Sequence, residues 1–517
     1  MDAEHSHGRG LLARNSLFNL VGQILPLFIG FFSIPYVVKG LGAEGFGILS
    51  IAWTLLGTFS MLDLGLGRAT TKSVAECMNP EKAHRLPGLV WTSIALQTGL
   101  GIAGGLLIAA FVPLLVDHLF KISPGWTGEA KTSLFILAAA VPILLLANGV
   151  RGILEAAQRF DLVNYIKVPT SFSFYLIAAL GIPLHWRVST IILVSVFIRL
   201  VSAGVFLFFG MRVFPQLRTQ WSFSTRELRG LFSFGGWVMV TNLTGPIFGY
   251  LERFAIASIL SVSMLSYYVV PFELISKIFI FPSSIAPVLF PYFSREGNAR
   301  TAAISDVSAR TLKYLVFLMT PIVVIVFVFA REILTAWMGP DFAARSASTL
   351  QWVTLASFLG SFAYIPFTSV QALGRPDLKA IQDIIALPCY VAYSWPLMKH
   401  FGIPGAGAAK LVCTVIDCVL LFSFASWLKA FSLRSWVRGP LARAVLISFG
   451  YAVSVFAIKL LIADLLVVAV LVLVSSLLYV VGLWAAALGQ EERSTLRRAV
   501  KSFGQRVSVA PLQEVQE

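Results

Sequence analysis

Long apolar runs alternate with short polar stretches along almost the whole chain. Each run is about 20 residues long, the length at which an α-helix crosses the hydrocarbon core of a bilayer. The runs predict fourteen spanning helices, at residues 16–38, 46–66, 88–116, 132–150, 162–184, 188–210, 231–260, 264–290, 314–330, 349–370, 380–398, 405–428, 441–461 and 464–488. The connectors are too short to fold by themselves. We therefore predict an all-α polytopic membrane protein of about 14 transmembrane helices.

The composition agrees with the prediction of a membrane protein. Hydrophobic residues make up 57% of the chain and charged residues 13%, whereas soluble domains carry about 25% charged residues. The 40 Lys and Arg outnumber the 25 Asp and Glu, but basic cytoplasmic loops explain this excess better than a nucleic-acid partner does. The four cysteines form no CxxC pair, and no motif indicates a metal site or a cofactor.

The basic residues are divided unevenly between the two sides of the predicted membrane. Alternate connectors and the two tails place 27 Lys and Arg on one side and 8 on the other. Because cytoplasmic loops carry the excess of Lys and Arg, this bias predicts that both termini are cytoplasmic.

Two pairs of similar segments indicate an internal repeat. LFNLVGQIL at 17–25 resembles LFSFGGWVM at 231–239, and QRFDL at 158–162 resembles GRPDL at 374–378. Both pairs are separated by nearly the same number of residues, which indicates two six-helix blocks. Because six is an even number, the two blocks would keep the same orientation in the membrane. The predicted domains are an N-terminal lobe (1–210), a cytoplasmic connector (211–230), a C-terminal lobe (231–430), two further helices (431–490) and a basic cytoplasmic tail (491–517).

Eight ionisable residues fall inside the predicted spans, and they are the candidate functional residues. An ionised side chain at the bilayer centre costs at least about 2.5 kcal/mol when it faces lipid, so each should face a cavity or a partner. The candidates for substrate binding are the cations Arg199, Arg253, Lys277, Lys410 and Lys167, and the candidates for coupling or gating are the anions Glu252, Glu273 and Asp417. This surplus of positive charge suits an anionic substrate.

Each candidate also has a purely structural interpretation. Lys167 lies near a span end and could extend to the headgroups. Glu273 and Lys277 are four residues apart, the spacing of a salt bridge within one helix. Lys410 and Asp417 are too far apart along one helix to pair, so each should meet another helix or water. Arg199 lies mid-span, where it needs water or an anion.

Neither of the two glycine-rich motifs typical of nucleotide-binding proteins supports nucleotide chemistry in this chain. Gly99, Gly101 and Gly104 spell GxGxxG, but the motif lies within a spanning run and no strand precedes it. Gly101 and Gly105 instead form a small-residue face of the kind that packs against a second helix in a membrane. The sequence has no GxxxxGK[ST] loop, so hydrolysis of ATP by the chain itself is not predicted.

An ordered set of segments resembles one family. The segments are SLFNLVGQILPLFIGFFSIPYVVKGLGAEGFGILS (16–50), LDLGLGRATTKSVAE (62–76), RGILEAAQRFDLVN (151–164), YLERFAIASILSVSMLSYYVVPFEL (250–274), LFPYFSREG (289–297) and FGIPGAGAAK (401–410). Together they are similar to Wzx-type polysaccharide flippases of the multidrug/oligosaccharidyl-lipid/polysaccharide exporter superfamily. The resemblance implies two six-helix lobes around a central cavity, which rock between inward-open and outward-open states. The count of fourteen helices is nearer to the related MurJ lipid II flippases.

The resemblance implies a secondary transporter in the bacterial cytoplasmic membrane. It would flip an undecaprenyl-diphosphate-linked oligosaccharide to the periplasmic leaflet, with membrane lipids and the polymerase and chain-length proteins of the pathway as further partners. Two alternatives stay open: a drug or cation antiporter, whose cavity should be acidic, and a membrane polysaccharide polymerase or ligase. An enzyme of that kind would need a sizeable outward loop, and the largest predicted one, 331–348, holds no paired acid and base.

Overall fold

The computed structural model describes residues 2–59, 66–225, 227, 249, 251–296, 301–431, 440–486, 489 and 493, and these contain helices and no β-strand. The helices are α1 (Asp2–Phe59), α2 (Leu66–Cys77), α3 (Leu86–Leu114), α4 (Thr127–Ala156), α5 (Phe160–Gly181), α6 (Val188–Val213), α7 (251–259), α8 (Val262–Ser276), α9 (Ile280–Glu296), α10 (Thr301–Val328), α11 (Ala330–Met338), α12 (Pro340–Ala372), α13 (Pro376–Phe401), α14 (Ile403–Trp427), α15 (Pro440–Leu461) and α16 (Leu465–Ala486). The all-α prediction is confirmed.

Most predicted spans coincide with a helix. α1 covers the first predicted span and residues 46–59 of the second. Its backbone breaks between them at Gly42, whose φ of 70° and ψ of 173° are not helical. Among the described residues, nine helical stretches are long and apolar enough to cross a membrane. The predicted span 231–260 falls mostly on residues outside the described part of the chain.

The prediction of a loop at 331–348 is wrong. This stretch forms α11 and the beginning of α12. α11 is only 9 residues long and places Arg331 and Glu332 beside apolar Leu334 and Trp337. A search for apolar runs of spanning length passes over such a short amphipathic helix.

The chain forms two compact units, each assembled from three stretches. The first unit comprises Met1–Lys277, Leu334–Thr349 and Ala380–Ala409, and the second comprises Ile278–Ile333, Leu350–Lys379 and Lys410–Glu517. The predicted lobe boundaries divide the chain differently, on the basis of the internal repeat, and stay a prediction.

In the first unit, α3 and α4 pack closely through small residues. A Cβ atom at Gly101 would lie 2.4 Å from the Cα atom of Pro142, and one at Gly105 would lie 2.5 Å from the carbonyl oxygen of Ala138. Any side chain at either position would therefore push the two backbones apart. The packing role predicted for Gly101 and Gly105 is confirmed.

In the second unit, α15 and α16 pack against α10 around a shared buried cluster. Val316 and Val324 of α10, Val455 of α15 and Val472 of α16 belong to it. A hydrogen bond of 2.9 Å joins the hydroxyls of Ser448 and Tyr479, which ties α15 to α16. These last two helices are therefore an integral part of the second unit.

The two copies of the QRFDL and GRPDL motif have the same local structure. In each, the residue before Arg has a positive φ, 57° at Gln158 and 78° at Gly374. The guanidinium then donates two hydrogen bonds to the Asp two residues later, at 3.0 and 2.9 Å in both copies. These bonds lower the pKa of the Asp161 and Asp377 carboxyls. Each copy ends one helix and begins the next.

Candidate functional site

Three helices of the first unit, α4, α5 and α6, enclose a cavity of about 200 Å³ that we call the cationic cavity. It is lined by Leu144, Ala147, Asn148, Arg151, Lys167, Thr170, Ser171, Phe174, Arg199, Ser202 and Phe206. Three lining residues are basic and none is acidic. The predicted cations Arg199 and Lys167 therefore meet in one place, and Arg151 joins them.

Arg199 is held in this cavity by an aromatic ring. Its guanidinium carbon lies 4.3 Å from the centre of the Phe174 ring, a cation–π distance. Its Nε atom is buried without a hydrogen-bond acceptor, and the guanidinium forms no ion pair within the described part of the chain. The donors of Arg199 thus stay available for an anion in the cavity.

The other two cations differ in their local partners. Arg151 is 3.1 Å from the Glu155 carboxylate one helical turn away, whereas Lys167 forms no ion pair with any residue that the structure describes. Beside Lys167, the hydroxyls of Thr170 and Ser202 are 2.7 Å apart and join α5 to α6. Lys167 is exposed and lines the cavity, so the cavity lining holds more positive than negative charge.

A second group of charges, also in the first unit, lies where α7, α8 and α1 meet. The Glu273 carboxylate is 2.9 Å from Lys277 Nζ and 3.6 Å from the Arg253 guanidinium. Arg253 also donates to the carbonyl oxygen of Ser50, at 3.4 Å, and to the Thr54 hydroxyl. The predicted Glu273–Lys277 pair is present, and it extends to a third charge that sequence spacing does not show.

Glu252 points to a different partner from its neighbour Arg253. Its side chain is buried and accepts a hydrogen bond from the hydroxyl of Tyr268, which is itself fully buried. Successive residues on a helix diverge by about 100°, which is why Glu252 and Arg253 join separate networks. The hydrogen bond from Tyr268 to Glu252 joins α8 to α7.

The remaining two candidates lie in the second unit. Asp417 of α14 forms an ion pair with Lys379 of α13, so the expectation that it meets another helix is confirmed. Lys410 lies half-buried at the eighth position of α14, and its carbonyl oxygen accepts a hydrogen bond from the Thr414 hydroxyl, at 2.9 Å. Arg199 and Arg253 belong to the first unit.

Sequence reasoning missed some residues of these sites. Arg151 lies one residue beyond the predicted span 132–150, whereas α4 continues to Ala156. Tyr268 contacts Glu252 across 16 positions of the chain, and nothing in its sequence neighbourhood indicates this contact. Within the described residues, no three His, Cys, Asp or Glu side chains are grouped to hold a metal ion.

An all-α chain with apolar helices of spanning length and a cavity whose lining is basic and not acidic belongs to the class of polytopic membrane transporters. Comparison with known proteins narrows this class. The family model described as "Polysaccharide biosynthesis protein" matches residues 12–296, more than half of the chain. The chain belongs to this family.

Individual relatives agree with this family. The chain is 26% identical over 410 residues to a Shigella flexneri protein named "Putative O-antigen transporter", with 79% of this chain and 96% of that protein covered. It is 22% identical over 453 residues to a Haloferax volcanii protein named "Probable low-salt glycan biosynthesis flippase Agl15", with 86% and 91% covered. The relatives named by function are a transporter and a flippase, not enzymes.

Solved structures show the same fold. The lipid II flippase MurJ, in an inward-closed conformation, matches with a TM-score of 0.71 at 14% identity, with 90% of this chain and 98% of that chain covered. An inward-facing multidrug resistance MATE family transporter of the MOP superfamily matches with a TM-score of 0.63 at 15% identity, with 80% and 99% covered. At this level of identity the two matches show a shared fold.

Proposed function

We propose that the chain is a secondary transporter that moves an undecaprenyl-diphosphate-linked oligosaccharide from the cytoplasmic to the periplasmic leaflet by alternating access. The family and the O-antigen and glycan relatives support a role in polysaccharide export. The lipid-linked substrate, the direction and the mechanism are the part that we add. The sugar and the diphosphate would cross within the protein while the polyprenyl tail stays in lipid.

The cationic cavity is the observation that carries this proposal. Arg151, Lys167 and Arg199 converge on one space with no acidic residue in its wall. A diphosphate offers several anionic oxygens, and the planar guanidinium of Arg199 can donate two parallel hydrogen bonds to a phosphate. Keeping such a charge inside the membrane is costly, so binding of an anion there would offset the cost.

The same cavity argues against export of cationic drugs. A cavity that binds cations should contain carboxylates, and this one contains none among its lining residues. The two predicted coupling or gating anions of the first unit lie elsewhere, Glu273 beside Arg253 and Lys277 and Glu252 beside Tyr268. There they are suited to coupling or gating, in line with their predicted role.

The experiment that tests the proposal is complementation of polymer export in a strain lacking this gene, with the protein in the membrane measured in parallel. Arg199→Ala should abolish export without lowering the membrane level of the protein. Arg199→Lys should restore export only in part, because lysine keeps the charge but loses the two-pronged donor geometry. Each lost charge-assisted hydrogen bond is worth about 1.5–3 kcal/mol, or about 10- to 150-fold in binding.

Arg187, at the start of the same helix, provides a matched control. It directly precedes α6, its side chain is 81% exposed, and it lies 3.7 Å from Glu129 outside the cationic cavity. Arg187→Ala should export normally. Normal export by Arg199→Ala, at a normal membrane level, would contradict the proposal. Equal loss of protein in both Arg199 variants would indicate a structural role for this residue instead.

A further inference from the structure

A second cavity of the first unit has a wall of a different chemical character. We call it the aromatic cavity; its volume is about 420 Å³, within the range of about 300–1,000 Å³ usual for small-molecule sites. It is lined by Phe28, Gly30, Phe31, Phe32, Ile34, Tyr175, Glu273, Leu274, Lys277 and Trp337. Five of these residues are aromatic, and two form an ion pair.

A proline in α1 explains how one aromatic surface of this cavity is built. Pro35 has no N–H group, so the carbonyl oxygen of Phe31, four residues earlier, lacks its helical donor. The indole Nε1 of Trp337 donates to that oxygen at 2.8 Å. The Trp337 and Phe31 rings then stack, with centroids 5.1 Å apart and planes 14° apart. The indole face is thereby fixed at the cavity.

A glycine in the same helix makes room for a second aromatic ring, that of Tyr175. A Cβ atom at Gly30 would lie 3.2–3.3 Å from three atoms of the Tyr175 ring. This is tighter than an ordinary contact, so only glycine lets the ring lie close against α1. Trp53 supports the same ring edge-on, with centroids 5.1 Å apart. Tyr175 is therefore held in place from two sides.

The ion pair of α8 supplies the polar edge of the cavity. Glu273 Oε2 accepts from Lys277 Nζ at 2.9 Å, and the Lys277 side chain is 40% exposed. The ammonium has three N–H donors, of which Glu273 uses one. A strong donor thus lies beside a carboxylate acceptor, at the rim of aromatic faces.

We propose that the aromatic cavity binds a sugar ring of the transported glycan. This inference rests on the proposed function. A pyranose ring has an apolar C–H face, which packs on an aromatic ring, and a rim of hydroxyls that both donate and accept hydrogen bonds. The fixed rings of Tyr175 and Trp337 meet the first requirement, and the Glu273–Lys277 pair meets the second. A hydrocarbon chain would satisfy neither the ammonium nor the carboxylate.

Helix α5 separates the two cavities. Phe174 lines the cationic cavity and its neighbour Tyr175 lines the aromatic cavity. One helix therefore offers an anion site on one side and a sugar site on the other. A lipid-diphosphate-sugar carries both matching groups, an anion and a sugar.

The test uses the purified full-length protein in detergent with two separate probes. Saturation-transfer NMR would report binding of free monosaccharides (N-acetylglucosamine, galactose and glucuronic acid), and calorimetry would report binding of inorganic pyrophosphate. The wild type should bind at least one monosaccharide. Tyr175→Ala and Lys277→Met should lose most of that sugar signal, Tyr175→Phe should retain it, and all three should bind pyrophosphate as the wild type does.

Arg199→Ala supplies the reverse pattern, with the sugar signal kept and pyrophosphate binding lost. If the wild type binds a monosaccharide but does not bind pyrophosphate, this result would contradict the proposed function and leave the sugar site standing. The sugar site would be refuted by an unchanged sugar signal in folded Tyr175→Ala and Lys277→Met, or by the absence of any sugar signal in the wild type. Binding of decaprenyl phosphate that is lost in Tyr175→Ala, without any sugar binding, would instead identify a hydrocarbon site.

Discussion

At the scale of single residues, the clearest contrast is between Gln158 and Gly374. They occupy the same left-handed position in the two copies of one motif, with φ of 57° and 78°. A residue with a Cβ atom pays about 1–2 kcal/mol for this conformation, and glycine pays almost none. One copy of the motif is thus strained and the other is not.

We predict opposite effects on stability at these two positions. Gln158→Gly should stabilise the protein by about 1 kcal/mol, and Gly374→Gln should destabilise it by about the same amount. Thermal unfolding in detergent, followed by the loss of monodisperse protein, measures both. A fall in stability for Gln158→Gly would show that the Gln158 side chain makes a contribution larger than the backbone strain.

Glu252 carries a second prediction at this scale. Glu252→Gln keeps a group that can accept a hydrogen bond from Tyr268 but removes the charge. If the carboxyl serves gating or ion coupling, transport should fall while the amount of protein in the membrane stays normal. Tyr268→Phe removes the hydrogen bond and retains the charge, so it should reduce transport less. Complementation by Glu252→Gln at the wild-type level would leave Glu252 with a structural role.

Residue contacts that follow from local spacing could be predicted from the sequence, and long-range contacts could not. The Glu273–Lys277 pair and the packing face of Gly101 follow from helical periodicity. The contact of Trp337 with Phe31 joins residues 306 positions apart. Its only trace in the sequence is the proline that leaves a carbonyl oxygen free, and the chain does not reveal which donor will reach it.

At the scale of helices, the approach of α3 to α4 depends on which glycines face the neighbour. Gly101→Ala would place a methyl group 2.4 Å from the Pro142 backbone, whereas the same change at Gly104 meets only the Val141 side chain, at 3.8 Å. We therefore predict that Gly101→Ala lowers the unfolding temperature. Gly104→Ala should leave it unchanged or raise it, because alanine favours a helix over glycine by about 1 kcal/mol.

Thermal unfolding of the two purified alanine variants in one detergent decides this prediction. The two glycines lie one turn apart on one helix, so differences in helix propensity cancel. Equal unfolding temperatures for both variants would mean that α3 and α4 can separate without loss of stability.

The apolar runs predicted where helices lie better than where they end. Hydropathy marks the part of a helix that contacts apolar surroundings, whereas α4 continues six residues past the predicted end, and those residues include Arg151. The short helices α2 and α11 were missed for a related reason. Their apolar residues cover only one face, so they never form a continuous run.

At the scale of the whole molecule, the charge bias of the connectors predicts the orientation in the membrane. Both termini and the connector 211–229 should be cytoplasmic. Single cysteines at positions 225 and 510, in a variant lacking the four native cysteines, should react with a membrane-impermeant thiol reagent only after the cells are opened. Labelling of either position in intact spheroplasts would contradict the predicted orientation.

The central claim is that this chain moves a diphosphate-linked glycan between leaflets by means of the cationic cavity. The most direct measurement reconstitutes the purified protein in liposomes with a short-chain polyprenyl-diphosphate sugar that carries a fluorophore on its glycan. Dithionite then destroys the fluorescence of the outer leaflet alone. With wild-type protein, nearly all of the fluorescence should disappear, because the inner-leaflet molecules are moved outward. With Arg199→Ala, only about half should disappear, since a lipid-linked glycan in liposomes is shared between two leaflets of similar area. Wild-type liposomes that retain the same protected half as protein-free liposomes would contradict the account.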